Sequence, residues 1–321
     1  MTPKPTNLAV RRAADPFAGD DVLAGLRGLR KTLPCKLLYD ARGAALFEQI
    51  CTLDEYYPYR SELALLERDL PAIAAAIGPA ARVIEPGSGA GQKTRMLLRA
   101  LDRPASYVPI DVSAAQLVAT ADALGAEFPA LEVVPIAGDY TQALELPAAL
   151  KPAGRTVVFF PGSTIGNFEP DEARRFLARF AALAGPGARL VLGADANQDA
   201  DQLLRAYDDA QGVTAAFNLN MLAHLNASRG ASFDLSAFLH RSVWDPTRSR
   251  IEMHLVSRRR QVVQVAGEAI AFERGEAIVT EHCYKHSPAV LAGLLGDAGW
   301  RVEDSFIDPQ GRMRLWLASR E

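Results

Sequence analysis

Three carboxylates stand where an α/β sheet presents side chains to a ligand: Glu85 before a glycine turn, and Asp111 and Asp139 at the ends of the next two apolar runs. The turn reads Val83-Ile84-Glu85-Pro86-Gly87-Ser88-Gly89-Ala90-Gly91, and Gln92-Lys93-Thr94-Arg95-Met96-Leu97-Leu98 then opens a helix. Alternating glycines let the backbone turn sharply and leave room for a ligand to lie on it. A phosphate loop would need Gly-Lys-Ser/Thr at the helix start, and Gln92-Lys93-Thr94 lacks the glycine. A dinucleotide fingerprint starts with Gly87 and Gly89, but Gln92 takes the place of its third glycine, and Glu85 faces a pyrophosphate unfavourably. An acid there suits a ligand with a positive centre and no phosphate, such as the sulfonium of S-adenosylmethionine. Asp111 is placed to accept both ribose hydroxyls, and Asp139, beside Tyr140, an adenine amino group. One Asp at a strand end is also a common turn former. Three acids ending three successive strands favour S-adenosylmethionine over NAD.

A second set of candidates lies downstream. Phe160-Pro161-Gly162-Ser163-Thr164-Ile165-Gly166-Asn167-Phe168 follows the fourth strand and faces the ligand crevice, where Asn167 offers donors and an acceptor. Asn167 is equally suited to cap the helix at Pro170. Arg205-Ala-Tyr207-Asp-Asp and Gly212-Val-Thr-Ala-Ala-Phe217-Asn218 sit on a helix pair and suit a pocket wall, although Tyr207 reads as well as plain core. In Thr280-Glu281-His282-Cys283-Tyr284-Lys285-His286, strand alternation puts Glu281, Cys283 and Lys285 on one face. Glu281 in a pocket would hold a cationic or N–H-bearing group. His282 and His286 with His224, His240 and His254 show no ligand spacing, so no metal is expected. Tyr39 and the dense Glu55-Tyr56-Tyr57-Pro58-Tyr59 run suggest a lid whose rings and hydroxyls meet a polar or cationic ligand. Aromatic clusters also simply pack.

The elements that must position these residues alternate. Residues 61–77 read as a helix, followed by strands ending at residue 84 and over 105–111, 131–138, 156–160 and 189–194. Ser113 and Gln116 form a capping box for a helix running to about residue 128, and Pro170 opens another that reaches 185. A helix from Ser287 to about 299 and strands over 300–306 and 313–318 close the sheet as a hairpin. Residues 197–286 break the alternation, with helix over 199–226 and then strands over 238–244, 250–255, 261–265, 269–272 and 277–284. Helical spacing over 20–32 precedes Pro34. The fold class is α/β, a Rossmann-like doubly wound sheet with a C-terminal antiparallel hairpin, plus an α+β cap. Residues 61–196 and 287–321 form the nucleotide domain, residues 17–60 and 197–286 the cap, and residues 1–16 a mobile N-terminus.

The 321 residues are 49% hydrophobic and 23% charged with net charge −3, so no global field draws nucleic acid or an anionic membrane. The basic run Arg258-Arg259-Arg260 reads as a solvated strand end. Three cysteines without a CxxC suit reduced thiols and the cytoplasm, and neither a membrane span nor a signal core is visible. A small-molecule substrate and a monomer are expected.

Taken together, Tyr39-Asp40…Leu46-Phe47, Glu55-Tyr56-Tyr57-Pro58, Gly87-Ser88-Gly89 with Lys93-Thr94-Arg95, Gly162-Ser-Thr-Ile-Gly-Asn167, Arg205-Ala-Tyr207-Asp-Asp, Gly212-Val-Thr-Ala-Ala-Phe-Asn218 and Arg250-Ile-Glu-Met253 occur in this order. From about residue 30 to the C-terminus the chain resembles the histidine-specific Nα-methyltransferases of ergothioneine biosynthesis, which make trimethylhistidine (hercynine). The resemblance implies the class I methyltransferase fold, S-adenosylmethionine as methyl donor with S-adenosylhomocysteine as product, and no metal. It implies that Asn167 and Tyr207 grip the substrate carboxylate, that Tyr56 lines the pocket and Met253 packs near the ring, and that Glu281 and Cys283 bond the imidazole. No residue is singled out as a chemical catalyst; Tyr39, Phe47 and Gly162 surround the amine. Gly87, Lys93, Asp111, Asp139 and Tyr140 hold the cofactor, joined by Glu85 and Gly89 from the residue reading. The family usually has serine where this chain has Cys283, so imidazole recognition is expected to be looser or tuned to a related substrate. A methyltransferase of the same fold acting on another amino acid or a thiohistidine, and a non-catalytic S-adenosylmethionine-binding protein, are the alternatives.

Overall fold

The computed structural model describes residues 21–89, 91–112, 114–148 and 150–321. The N-terminal segment expected to be mobile and the capping Ser113 lie outside the described residues.

Two sheets organise the chain. The larger has the order Arg301–Ile307, Met313–Ser319, Arg189–Asp195, Arg155–Phe160, Ala81–Pro86, Ser106–Asp111, Glu132–Val133, with Ile136–Ala137 also paired to Ser106–Asp111. Its inner strands run parallel, and Met313–Ser319 joins antiparallel to Arg189–Asp195, so the C-terminal hairpin closes the sheet as expected. Val83, Ile84, Val108, Ile110, Val157, Val158 and Phe159 are fully buried, because helices cover both faces of a parallel sheet. The Ala81–Pro86 strand pairs on one side with Ser106–Asp111 and on the other with Arg155–Phe160. Strand order reverses there, and a crevice opens at the carboxyl ends of such strands.

The second sheet has the order Lys31–Thr32, Ala277–Tyr284, Arg250–Ser257, Phe238–Asp245. The hairpin of Gln261–Val265 and Glu268–Phe272 turns at Ala266-Gly267, both at positive φ (49° and 84°), the geometry of a tight hairpin turn. Leu203, Phe217, Met221, Leu225, Met253 and Ile278 form a core for this sheet, separate from the two cores of the large one. One residue, Thr280, is extra in the pairing of Ala277–Tyr284 with Arg250–Ser257. Such bulges re-aim side chains. The alternation of Glu281, Cys283 and Lys285 lies after the bulge and survives it.

Several expected boundaries move. The helix expected over 61–77 starts at Tyr57 (Tyr57–Ile77), with Pro58 in its first turn where a missing N–H costs nothing. Tyr57 and Tyr59 therefore belong to a helix start. The third expected strand is two short pieces, Glu132–Val133 and Ile136–Ala137. The helical stretch over 199–226 is broken into Ala200–Tyr207 and Val213–Arg229 by Gly212 at φ 73°. The first helix stops at Arg27, and Lys31–Thr32 joins the second sheet instead.

Among the described residues no helix is long and apolar enough to cross a membrane.

Candidate active site

The glycine turn is built as its spacing implies. Gly87, Gly89 and Gly91 take φ of 69°, 49° and 72°, a region where side chains are strained. A Cβ on Gly87 would meet the Tyr140 ring at 3.3 Å. Glu85 is buried, and its Oε2 accepts from Thr94 Oγ1 and Tyr107 Oη, each at 2.6 Å. Burial pushes its pKa up to about 7, against the two hydroxyl bonds and Lys93, which lower it. Its carboxyl ties the helix after the turn to the neighbouring strand.

Glu85, Gly87, Gly89, Lys93, Asp111, Asp139 and Tyr140 all line one cavity of about 1120 Å³ at the switch point. Asp139 Oδ1 accepts from Thr141 N (2.8 Å) and Oγ1 (2.5 Å), and its Oδ2 lies 3.4 Å from Lys36 Nζ. Tyr140 packs edge-on to Phe160 and Phe176. Lys93 pairs with Glu62 and lies 4.8 Å over the Tyr59 ring. The cleared backbone, the acids at the strand ends and the size of the cavity fit an adenosyl cofactor with an amino-acid tail.

The same cavity continues between the sheets to Tyr39, Phe47, Tyr56, Gly162, Asn167 and Glu281. These residues also wall a narrow chamber of about 50 Å³, completed by Tyr207, Thr214, Phe217, Met253 and Cys283. Its rings meet edge to face: Tyr39 with Phe47 and with Phe217 at 5.6 Å, Phe47 with Tyr56 at 6.2 Å, and Tyr56 with Tyr207 at 6.0 Å. All the substrate-side candidates named from the sequence thus converge on one chamber. At its polar end Asn167 Nδ2 donates to Glu281 Oε1 (3.1 Å). Burial raises Glu281 to about 7, opposed by Lys285 and by the Asn167 hydrogen bond.

The Gly162–Asn167 loop is held by exclusion. A Cβ on Gly166 would lie 2.5 Å from the Tyr284 carbonyl, so only glycine lets the loop sit on the second sheet. Glu169, just after it, receives Arg250 (2.9 Å), the Tyr284 hydroxyl (2.6 Å) and His282 Nδ1 (2.8 Å). His282 serves this tie.

Sequence reasoning missed Glu62 and Asp195. Glu62 is fully buried on Tyr57–Ile77 and accepts the Gly162 N–H at 2.8 Å on each oxygen. Gly193 leaves space for it, since a Cβ there would lie 1.8 Å from Glu62 Oε1. The available signal was a carboxylate on the apolar stripe of a helix. Asp195 ends a parallel strand, so the reasoning that selected Asp111 and Asp139 applied to it equally. Its Oδ2 accepts from Tyr57 Oη (2.5 Å) and pairs with Lys285 Nζ (2.9 Å). Burial pulls the Lys285 pKa down, but the Asp195 carboxylate more than offsets that, and the ammonium is retained.

The family model described as "Histidine-specific methyltransferase, SAM-dependent" matches residues 18–320. The chain is 43% identical over 306 residues to the histidine N-alpha-methyltransferase of Mycolicibacterium smegmatis, covering 94% of each. It is 40% identical over 320 residues to that of Mycobacterium tuberculosis, covering 98% of this chain and 96% of the relative. It is 30% identical over 256 residues to ergothioneine biosynthesis protein 1 of Neurospora crassa, covering 73% of this chain and 29% of that longer protein. With its sheet order, its glycine turn and its two-part cavity, this chain belongs to the histidine-specific, SAM-dependent methyltransferase family.

Proposed function

We propose that the protein transfers methyl groups to the α-amino group of L-histidine, giving trimethylhistidine as a step of ergothioneine biosynthesis. The observation that carries this reading is the pairing of Asn167 with Glu281 at the polar end of an aromatic chamber continuous with the glycine-turn cavity. The names of the mycobacterial relatives support the reaction, and that of the fungal relative supports the pathway.

Bound S-adenosylmethionine supplies an electrophilic methyl group. On this reading Gly87, Gly89, Lys93, Asp111, Asp139 and Tyr140 hold it, and Glu85 fixes the turn beneath it. Asn167 and Tyr207 hold the histidine carboxylate, while Glu281 and Cys283 take the imidazole. Tyr56 lines the pocket and Met253 packs against the ring. Gly162, Tyr39 and Phe47 surround the amine. The amine must be neutral to attack, and it loses a proton before each round; no strong base is needed. Alignment and exclusion of water by the ring walls provide most of the acceleration. As the amine becomes a cation that no longer ionises, the faces of Phe47, Tyr39 and Tyr56 hold it. Residues 17–60 and 197–286 act as the substrate-binding unit on a methyltransferase unit of 61–196 and 287–321.

Purified protein incubated with S-adenosylmethionine and a panel of amino acids tests this directly. Mass spectrometry is expected to show mono-, di- and trimethylated histidine. Methylation of another amino acid with histidine untouched would overturn the reading.

A further inference from the structure

Lys285 is fully buried at the end of the substrate-facing strand, and none of the roles above uses it. Its ammonium has three donors and no acceptor, and three acceptors surround it: Asp195 Oδ2 at 2.9 Å, Tyr207 Oη at 3.0 Å and Cys283 Sγ at 3.3 Å. Asp195 is itself fixed from several directions, by Tyr57 Oη on Oδ2 (2.5 Å) and by the Asn197 N–H on Oδ1 (3.0 Å). Lys285 thus stands in a place set by three separate segments.

We propose that the Lys285–Asp195 ion pair is a positioning device for the substrate carboxylate, acting through Tyr207. This rests on the proposed histidine methylation. The physical basis is hydrogen-bond polarity. Because Tyr207 Oη accepts from an ammonium, its own single proton must point away from Lys285. The acceptors then open to it are Cys283 Sγ, at 3.0 Å, and whatever occupies the chamber. Sulfur is a weak acceptor, and a carboxylate oxygen is a strong one. The ammonium, also 4.9 Å over the Tyr207 ring, polarises the phenol and strengthens it as a donor. A neutral side chain at 285 would let the phenol turn its proton inward and offer the carboxylate a lone pair. Lys285 therefore touches no substrate; it selects for an anionic group by setting which way Tyr207 donates.

A mere staple between strands would weaken every substrate alike, whereas this device discriminates. The experiment compares L-histidine with L-histidinol, in which CH2OH replaces the carboxylate, by kcat/KM and by calorimetry with S-adenosylhomocysteine bound. Removing only one charge would strand the other in the interior, so the test variant is Lys285→Met with Asp195→Asn. Expected is a loss of about tenfold or more for histidine, little change for histidinol, and no further loss when the same pair is changed in a Tyr207→Phe background. An equal fall for both substrates, or an undiminished effect in Tyr207→Phe, would overturn the proposal. If the variant shows no cooperative melt, Lys285→Gln with Asp195→Asn keeps the shape and loses the charge; an unchanged histidine-to-histidinol ratio there overturns it as well. Absence of histidine turnover by the unaltered protein would instead strike the proposed function itself.

Discussion

Glu85 lies in a strand of the large sheet and Glu281 in a strand of the second, each on a wall of the same cavity. Both are buried, and burial pushes both carboxyls to about 7. Their partners differ. Glu85 receives two hydroxyls from its own sheet and the helix that follows it, while Glu281 receives one amide, from Asn167 on the opposite unit. A carboxylate has room for about four hydrogen bonds. Glu85 commits one oxygen, through two hydroxyls on Oε2, to the fold, whereas the one amide on Glu281 leaves more of its capacity for the chamber. On the proposed function, the partners each carboxyl keeps, and not burial or an altered pKa, separate Glu281 as the recognition residue from Glu85 as the structural one.

The largest effects should divide along that line. Glu281→Ala is expected to weaken histidine binding on the order of a hundredfold, the cost of leaving an imidazole N–H unpaired in a dry site, with S-adenosylhomocysteine binding nearly unchanged. Glu85→Ala should do the reverse. It leaves two buried hydroxyls without an acceptor, at about 1–3 kcal/mol of stability, and loosens the turn proposed to carry the cofactor. Calorimetric titration of each ligand into each variant checks both. Equal loss of both ligands in the two proteins would remove the distinction.

Gly87→Ala sharpens the cofactor side. A side chain there is strained at φ 69° and meets the Tyr140 ring, so a loss of about tenfold in S-adenosylhomocysteine affinity is expected, without effect on the chamber. Unchanged affinity would mean that the turn does not approach the ligand.

The shared feature gives a third test. For an acid whose folded pKa is raised from 4.5 to about 7, the unfolded chain ionises first as pH rises. Stability present below about pH 4.5 is therefore lost progressively up to about pH 7, by on the order of 3 kcal/mol per group at most. Glu281→Gln and Glu85→Gln each keep an acceptor oxygen and remove this penalty. Each should raise the melting temperature near pH 8 while changing it little near pH 4. Only Glu281→Gln should also weaken histidine binding. A melting curve whose pH dependence is unaltered in both would show that these carboxyls ionise normally.

The cofactor half was legible because its chemistry is local: an acid, alternating glycines and a helix start are contiguous in sequence, and the acids at 111 and 139 follow apolar runs, the second of which pairs only in two short pieces. The substrate half was legible in part. Strand alternation placed Glu281 with Cys283 and Lys285, but the convergence of Tyr39, Asn167, Tyr207 and Met253 on one chamber depends on two sheets meeting, and periodicity carries no such information. It came from resemblance. Glu62 stayed hidden because a helical stripe such as Pro58, Glu62, Leu65 and Leu66 reads as a stray charge until the Gly162 N–H and Lys93 are found against it. The tyrosine-rich run divides in a way spacing does not show: Tyr57 bonds Asp195 in the interior, while Tyr56 and Tyr59 line the cavity, Tyr59 with its hydroxyl on Gln92.

The smallest expected effect concerns Cys283. Its sulfur is buried and lies 3.0 Å from Tyr207 Oη. Burial raises the thiol pKa, which keeps it protonated and able to donate only weakly. Cys283→Ser shortens the side chain's reach and strengthens its hydrogen bonds, so the imidazole gains a better partner while Tyr207 gains a competing acceptor. The two changes oppose each other at opposite ends of the same substrate. Histidine affinity should therefore rise by no more than about threefold, and histidinol, which lacks the carboxylate that depends on Tyr207, should gain more than histidine does. A serine variant that improves both substrates equally would show that residue 283 meets the imidazole without acting on Tyr207.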